Sequence, residues 1–343
     1  MIEIIKDKIS WDEIIQKFDN VDIYYTFEYL QPFVLHGDGQ PMLFYYHTEN
    51  VMAINVVMKR VIELDRENKY YDIITPYGYG GWLIQGNIAK EEIKHLDVEY
   101  TKLCQENNII SEFVRFHPLL ENAQKVNDIY KVIDLGQTVA IDLDSEEKIN
   151  ENIKSKYRNV IRKAINAGVV IKKDNSAQIY DKFIEIYNAT MERDIAEAYY
   201  YFEKEFYDSI REGMNDCSTM YYAELDGKVI GASIIMWGKN YVHYHLSGAI
   251  REYMNLAPMN LLLYTVACDY VGKKQKLHLG GGVGSNSNSG LYKFKKSFNK
   301  NGDHQFSIGK KIFDVNIYNK LVNIRKGKKD FDENSSFFPL YRG

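Results

Sequence analysis

The chain has 343 residues, 45% of them hydrophobic, which is more than one hydrophobic core usually organises and therefore favours two domains. Its net charge of -4 argues against a surface that binds nucleic acid throughout, although a local basic patch is compatible with it. The most apolar runs, such as Val229 to Trp237, are far shorter than the roughly 18 residues of a membrane-spanning helix. No transmembrane segment is expected.

The N-terminus and the cysteines indicate the compartment. The first residues, MIEIIKDKISWDE, mix charged and isolated apolar residues and lack the apolar core of a secretory signal. Cys104, Cys217 and Cys268 are far apart and show no CxxC spacing, so they are expected to be reduced thiols. We therefore predict a cytoplasmic protein, with peripheral membrane contact left open.

The two halves of the chain repeat one order of elements. In the first half, two strands at 42–49 and 51–61 precede a helical pattern from Ile88 to Asn108 and a strand at 111–118. In the second half, strands at 219–225 and 228–237 flank the hairpin signal Asp226-Gly227. A strand at 240–248, a helix from Met259 to Val271 and a strand at 276–281 follow. Two tandem mixed α/β domains are predicted.

A basic helix is predicted between the halves. The segment 144–168 begins with Asp144 or Ser145 as a candidate N-cap and ends at Gly168, which favours one continuous helix. Lys154, Arg158 and Arg162 form one stripe on it, suited to the phosphates of a nucleotide-linked substrate or a tRNA end. A solvated charged face is the alternative interpretation.

The glycine-rich segment from Leu277 to Lys300 is the leading site candidate. Its glycines, which include Gly281 and Gly282, permit close approach of the backbone to a ligand, and aromatic residues and lysines follow them. The segment matches neither the phosphate-loop pattern nor the dinucleotide pattern. A flexible turn is the alternative.

Metal and serine-hydrolase chemistry receive little support. His243 and His245 share one strand face and His278 lies on another strand, so a three-histidine metal site is conceivable. No HExxH motif accompanies them, and no G-x-S-x-G motif is present. No metal site is predicted.

Several motifs are spread along both halves of the chain. In the second half they are KYRNVIRKAINAGV, YNATMERD with EAYYYF, YHLSG, and HLGGG through LYKFKKSF; in the first half they are TFEYL, ITPYGYGG and FVRFHPLLEN. In their order and spacing they resemble the Fem (FemABX) family of peptidoglycan-bridge aminoacyltransferases. The resemblance spans nearly the whole chain. It implies an α/β (α+β) fold of two tandem GNAT-like domains, with mixed twisted sheets flanked by helices.

The resemblance also implies the domain limits. The first domain is expected at 1–143 and the second at 144–313, with 314–343 packing back on the first. No coiled-coil arm is expected, since the segment from Tyr199 to Thr219 is too short and lacks heptads.

The activity implied by the resemblance is transfer of an amino acid from aminoacyl-tRNA to an amine of a nucleotide- or lipid-linked muropeptide precursor. Because the donor ester is already activated, catalysis can depend on alignment and on stabilising the oxyanion. The Phe-Lys pair of the family's active centre matches Phe294 and Lys295. Lys295 is the expected cation near the oxyanion or the tRNA terminus, and Phe294 shapes the pocket. A lysine in a solvated loop is the alternative.

Other residues are expected to bind substrate. Arg193 and Tyr200 resemble the region that contacts the phosphates of the precursor, where the fork of an arginine suits the role. Tyr77 and Tyr79 lie in ITPYGYGG, which supplies no carboxylate, so no proton acceptor is named.

Two other functions remain open. An acyl-CoA-dependent N-acyltransferase acting on a sugar or amino-acid amine would use the same fold, although the Q/R-x-x-G-x-G/A loop is absent. A non-catalytic module that binds cell-wall precursors is the third interpretation. No tightly bound cofactor is predicted; aminoacyl-tRNA is the expected co-substrate, and acetyl-CoA is its alternative.

Overall fold

The structure is a computed structural model of the chain and describes residues 1–65, 67–87, 89–332 and 334–343. Ile88, the first residue of a predicted helix, lies outside the described residues. The chain forms two compact units, Met1–Leu135 with Gln305–Gly343, and Gly136–His304. The domain limits expected from the sequence, 1–143 and 144–313, fall near these divisions but not on them.

The first unit is a mixed sheet with helices. Its elements are β1 (Ile2–Ile5), α1 (Lys8–Ile15), α2 (Phe27–His36), β2 (Gln40–His47), β3 (Val51–Ile62), β4 (Tyr70–Ile74), β5 (Leu83–Gly86), α3 (Lys90–Glu106), β6 (Ile109–Arg115) and the start of β7 (Lys131–Asp142). The sheet order is β1-β2-β3-β4-β6, with β5 added to β3. All described pairs are antiparallel except β4 with β6, which are parallel.

The end of the chain completes the first unit. Strand β13 (Asp303–Ile312) pairs antiparallel with β6, and helix α10 (Val315–Lys326) follows it. Leu321 of α10 packs with Ile62 and Ile110 in a small apolar cluster. Arg342 anchors the C-terminal segment to β4, because its guanidinium donates hydrogen bonds to the buried carboxylate of Asp72.

The second unit repeats the plan. Its elements are α4 (Glu146–Asn152), α5 (Ser155–Asn166), β8 (Val170–Lys173), α6 (Ala177–Arg193), α7 (Lys204–Gly213), β9 (Ser218–Leu225), β10 (Lys228–Trp237), β11 (Tyr241–Ala249), α8 (Pro258–Asp269), β12 (Lys276–Gly281) and α9 (Gly290–Lys296). The sheet order is β7-β12-β11-β10-β9-β8. Strands β11 and β12 are parallel and are joined through α8.

The repeated order predicted from the sequence is confirmed at its clearest signals. Asp226 and Gly227 both have positive φ, 49° and 80°, as a two-residue hairpin between β9 and β10 requires. Helix α8 begins at Pro258, close to the predicted start. In each unit a helix joins the two strands that pair in parallel, which is the mixed α/β architecture expected.

The single helix predicted over 144–168 is wrong. Ser145 does cap a helix, but that helix, α4, ends at Asn152, and α5 starts afresh at Ser155. Ile153 and Lys154 between them have extended ψ values of 130° and 134°. The break lets Ile153 pack in the core at 1% exposure, while the N–H of Lys154 donates to Ser297 O. Tertiary contacts therefore override the helical pattern.

The segment from Tyr199 to Thr219 is described throughout and contains no antiparallel helix pair. It holds the end of a short 3-10 turn, the ten-residue α7 and the start of β9. The expected absence of a coiled-coil arm therefore holds for this segment.

A buried polar network anchors β6 in the first unit. Glu112 is 0% exposed, and its carboxyl group accepts hydrogen bonds from Asn55 Nδ2 at 2.7 Å, Tyr100 OH at 2.8 Å and Tyr130 OH at 2.7 Å. Burial raises the pKa of Glu112 above its usual value, and the three donors oppose that shift. The network joins β3, α3 and the segment before β7 to β6.

We predict that Glu112→Ala destabilises the protein by about 3 to 5 kcal/mol, because it removes the shared carboxyl acceptor of three buried donors and opens a cavity. The free energy of unfolding, measured with urea, tests this. Glu106→Ala is the matched control, because the Glu106 side chain is 57% exposed and its removal should cost less than about 0.5 kcal/mol. Equal losses in the two variants would contradict the network's role.

Candidate active site

The sheet of the second unit opens between its two parallel strands. Strands β11 and β12 pair from Tyr241 with Lys276 as far as His243 with His278. Both strands then continue, β11 to Ala249 and β12 to Gly281, but their described pairing with each other has ended. In β12 the register with β7 also shifts between His278 and Gly280, and Gly280 has a φ of 76°. The carboxyl ends of the parallel strands therefore border a gap.

Lys295 lies at this gap. It is in the last turn of α9, where a basic residue is favourable because the helix dipole presents partial negative charge. Its Nζ donates a 2.7 Å hydrogen bond to the carbonyl oxygen of Gly281, the last residue of β12. Although it is a lysine, the residue is only 8% exposed. The amine is thus held against the end of β12.

The charge of Lys295 is not balanced within the described structure. No carboxylate among the described residues forms an ion pair with Nζ, and burial alone lowers the pKa of Lys295 to about 7. A buried ammonium without a counter-charge is costly, because low-dielectric surroundings solvate it poorly. At neutral pH the amine therefore changes its charge readily, and an incoming anion would stabilise its protonated form.

The glycines before α9 let the chain fold tightly around this amine. A Cβ on Gly282 would lie 2.7 Å from the carbonyl oxygen of Asn286, so the loop closes against its backbone. Ser289 then caps α9 by accepting a hydrogen bond from the N–H of Tyr292 at 3.2 Å. The chain is therefore tightly turned at Gly282, whereas Val283, Gly284 and residues 286–288 of the same loop are exposed, so the flexible-turn interpretation stays an alternative.

Neighbours of Lys295 fix the orientation of α9. Phe294 packs against the core of the unit and contacts Phe298 edge-to-face with ring centroids 5.4 Å apart. Lys296, in contrast to Lys295, has a carboxylate partner, Asp303, at 2.5 Å. The structure therefore brings together four of the predicted site residues, namely Lys295, Phe294, Gly281 and Gly282.

Arg193 marks the end of the other parallel strand. Its Nη1 donates to the carbonyl oxygen of Ala249 at 3.1 Å, and its Nε donates to Asp194 at 3.0 Å. Ala249 ends β11 as Gly281 ends β12, so Arg193 and Lys295 lie at the same edge of the sheet. Tyr200 is partly buried in the next turn and contacts Tyr199 edge-to-face. Their predicted contact with phosphates stays a prediction.

The basic stripe of α5 divides into two kinds of residue. Arg158 donates from Nη1 to the carbonyl oxygens of Asn150 at 2.9 Å and Ile153 at 2.6 Å, so it caps the end of α4. Arg162 is exposed and forms no hydrogen bond or ion pair with any described residue. Arg158 therefore stabilises the end of α4, which the sequence pattern did not reveal. The guanidinium of Arg162 is exposed and can contact a ligand.

Tyr77 and Tyr79 belong to the first unit, in the loop after β4. Arg115 supports that loop, because its guanidinium donates to the carbonyl oxygens of Thr75 at 3.0 Å, Pro76 at 2.9 Å and Gly78 at 3.1 Å. Tyr77 stacks on Phe33, and burial raises the pKa of Tyr79 well above its usual value. Hydrogen bonds and ring stacking thus hold the loop in one conformation. Substrate contact by the two tyrosines stays a prediction.

The sequence reasoning missed a buried imidazole–carboxylate pair in the first unit. His117 Nε2 lies 2.6 Å from Asp22 Oδ2, and both residues are at most 1% exposed. His117 also borders a cavity of about 310 Å³ in this unit. An imidazole oriented by a carboxylate is a group that accepts protons. The two residues are 95 positions apart, so no local motif could have joined them.

The three histidines raised as metal ligands are arranged differently from a metal site. His243 and His278 face each other across β11 and β12 with their rings edge-to-face, centroids 5.6 Å apart. This is a packing arrangement of core rings. Burial lowers the pKa of His245 to about 3. These contacts lend no support to the three-histidine hypothesis.

The second unit also matches a known domain family. Residues 151–296, which include Arg193, Gly281 and Lys295, match the acetyltransferase (GNAT) domain. No curated protein sequence matches the chain significantly. Among the described residues, no helix has the length and apolar character needed to cross a bilayer.

Solved structures extend the likeness to the whole chain. FemX is similar over 93% of this chain and 99% of its own, with a TM-score of 0.69 and 11% identity. A tandem GNAT protein of the clavulanic acid pathway is similar over 92% and 99%, with a TM-score of 0.52 and 9% identity. The C-terminal domain of a proposed lysylphosphatidylglycerol synthetase from Agrobacterium fabrum is similar over 90% and 91%, with a TM-score of 0.54 and 11% identity. The predicted tandem GNAT-like fold is confirmed, and FemX shares it.

We predict that Lys295→Met stabilises the protein at pH 6 by about a few kcal/mol, because each tenfold change in a protonation equilibrium corresponds to about 1.4 kcal/mol. In the native protein the pKa is lowered to about 7, against about 10.4 in the unfolded chain. The destabilisation by the buried charge is therefore complete below pH 7 and declines between pH 7 and about 10.4. The advantage of the variant should decline over the same interval.

Chemical denaturation at pH 6 and pH 9.5 measures this difference. Lys293→Met is the control, because Lys293 is exposed and lies two positions away on the same helix. A Lys295→Met effect that is the same at both pH values would contradict the buried, uncompensated amine.

Proposed function

We propose that the protein is an aminoacyltransferase that moves an amino acid from aminoacyl-tRNA to an amine of a peptidoglycan precursor. The sequence motifs suggest this activity, and the fold shared with FemX is consistent with it. The similar proposed lysylphosphatidylglycerol synthetase is named for an aminoacylated lipid, which also fits aminoacyl transfer on this fold. The GNAT-domain match over 151–296 supports the coarser class, an acyltransferase.

One observation carries the proposal, namely the burial of Lys295 at the end of β12 with no carboxylate partner among the residues that the structure describes. Lysines are rarely buried unless paired, so this position is unfavourable for stability alone. It suits a reaction in which negative charge develops in the gap between β11 and β12. A pKa near 7 lets the amine become protonated when that charge arrives.

The proposed step is aminolysis of an ester. The nitrogen of the acceptor amine attacks the ester carbonyl carbon, a C–N bond forms, and the carbonyl oxygen becomes an oxyanion. The protonated amine of Lys295 stabilises that oxyanion in a site shielded from water. When the intermediate collapses, the C–O bond to the tRNA ribose breaks, and the proton lost by the attacking amine ends on the ribose oxygen. Phe294, which packs against the core beside Lys295 in sequence, keeps the pocket in shape.

The remaining predicted residues receive binding roles in this proposal. Arg193 and Tyr200 contact phosphates of the precursor, and Arg158 and Arg162 contact phosphates of the precursor or of the tRNA end. Tyr77 and Tyr79 present aromatic surface of the first unit to the substrate. The exposed Arg162 is the best suited of the α5 pair, because Arg158 already caps α4.

An acyl-CoA-dependent N-acyltransferase is the second candidate. The matched domain is described as an acetyltransferase, and the tandem GNAT protein of the clavulanic acid pathway is described with reference to acetyl-CoA. The same amine chemistry at Lys295 would serve a thioester donor. Only the donor and the acceptor distinguish the two proposals.

A donor screen tests the proposal. The purified protein is incubated with a muropeptide precursor and either mixed aminoacyl-tRNAs or acetyl-CoA. The mass of the precursor is then measured by mass spectrometry. Addition of an amino-acid residue supports aminoacyl transfer, and addition of an acetyl group supports the second candidate. Precursor binding with no mass increase from any donor would contradict both and favour a non-catalytic binding module.

We predict that Lys295→Ala lowers kcat by about tenfold to a thousandfold, because it removes charge stabilisation of the transition state. Lys293→Ala, on the exposed face of α9, should leave kcat unchanged and is the matched control. Steady-state kinetics with the donor found in the screen measure both variants. Unchanged turnover in Lys295→Ala would remove Lys295 from the active site.

A further inference from the structure

The second unit has another pocket at the opposite end of its sheet. This cavity, of about 310 Å³, lies where β10 ends, β9 begins and α8 ends. Its principal lining residues are Lys173, Asn175, Asn215, Tyr221, Trp237 and Tyr270. None of these belongs to the candidate active site. We call this cavity the Trp237 pocket.

The Trp237 pocket is separate from the gap at Lys295. Trp237 pairs with Val242 at the start of β11, and Val242 pairs with Leu277 near the start of β12. Gly281, which holds the Lys295 amine, is four residues further along β12, about 13 Å at the rise of a strand. A ligand in the Trp237 pocket would therefore occupy a second site.

An aromatic wall is the first feature that points to a ligand. The chain has three tryptophans, and the other two, Trp11 and Trp82, are 0% exposed in the core of the first unit. Trp237 is partly exposed at the pocket instead, and its ring is tilted by 48° to that of Tyr270 with centroids 5.8 Å apart. The two rings offer the pocket an apolar surface beside polar groups.

A fixed carboxylate is the second feature. Asp269 also lines the pocket; its Oδ2 accepts a hydrogen bond from Tyr221 OH at 2.8 Å and pairs with Lys173 Nζ at 2.6 Å. Lys173 in turn lies over the ring of Tyr221, 5.0 Å from its centroid. The charges of Lys173 and Asp269 balance each other, while the carboxylate keeps further lone pairs for hydroxyl donors.

The rim of the pocket adds groups with capacity for a ligand. The Asn215 side chain is exposed and makes no hydrogen bond within the described part of the chain. Lys273 donates to the backbone carbonyl oxygen of Asp269 at 2.7 Å, yet no described carboxylate pairs with it. Amide and ammonium donors thus line the same pocket as the aromatic wall.

We infer that the Trp237 pocket binds one saccharide unit. A pyranose ring has an apolar C–H face, which fits an aromatic wall, and equatorial hydroxyls, which fit a carboxylate and an amide. The volume is at the lower end of the range of about 300 to 1,000 Å³ for small-molecule sites, so a single sugar ring fits better than a nucleotide. Because no described carboxylate pairs with Lys273, this lysine favours a sugar that carries a carboxylate.

Binding of N-acetylglucosamine and N-acetylmuramic acid tests this inference. Saturation-transfer NMR and tryptophan fluorescence of the full-length protein should both show saturable binding, with a Kd of about millimolar for a single sugar ring. N-acetylmuramic acid should bind more tightly, and Lys273→Ala should remove that difference. Glycerol at the same concentration should give no saturable signal.

Variants locate the binding. Trp237→Ala and Asp269→Asn should each weaken binding at least about tenfold, with melting temperature confirming that they fold. Tyr253→Ala is the matched control, since Tyr253 is a partly exposed aromatic residue outside the pocket. If Trp237→Ala does not fold, the exposed Asn215→Ala replaces it, and binding should weaken about threefold or more.

Sugar binding at this pocket is independent of the proposed transfer activity. Acyl transfer to a small amine should be unchanged in Trp237→Ala, because that pocket lies at the other end of the sheet. Failure of both sugars to bind the wild-type protein would overturn the inference. Equal binding by the wild type and by folded pocket variants would also overturn it.

Discussion

The central constraint of the second unit is the burial of the Lys295 amine, for which the described part of the chain provides no counter-charge. Lys295 is 8% exposed, and its Nζ has a carbonyl oxygen rather than a carboxylate as its described partner. Such an arrangement works against folding, since a buried charge normally requires a partner. It persists because the surrounding structure holds the lysine in place. In the proposed function, the stability given up at this position supplies the cation that stabilises the oxyanion.

That position depends on several local features of the chain. The pairing of β11 and β12 ends at His243 and His278, which leaves room beside the end of β12. Gly282 lets the following loop turn back closely, and Ser289 starts α9 so that its last turn delivers the lysine. Lys154 N–H then ties the chain before α5 to Ser297, just after α9. The conformation of the backbone, more than side-chain contacts, therefore determines where the Lys295 amine lies.

Local signals were predictable from the sequence. Asp226-Gly227 predicted the hairpin because both residues tolerate positive φ, and Pro258 marked the start of α8. The resemblance to a family motif drew attention to Phe294 and Lys295; the structure places Lys295 against Gly281, and the catalytic role of the pair stays a prediction. Features that depend on distant contacts were not predictable. The break at Ile153 and Lys154 occurs because Ile153 packs in the core, which helical spacing alone does not show.

Long-range pairs escaped the sequence analysis for the same reason. His117 meets Asp22 across 95 positions, and Arg115 holds three carbonyl oxygens of a loop that precedes β5. Arg158 fitted a basic stripe, yet its guanidinium caps α4. Residue type and spacing identified the charged residues. They did not show which of these side chains form hydrogen bonds within the fold and which are exposed. Burial and hydrogen-bond partners supplied that distinction.

The most direct test of the central constraint is the pKa of Lys295, measured by an NMR titration of protein labelled with 13C at the lysine Cε. Lys295→Met identifies the resonance by its absence. We expect a pKa near 7 for this amine, because burial lowers it. A value near 10.4, the usual value for a lysine in water, would contradict a buried amine held without a counter-charge.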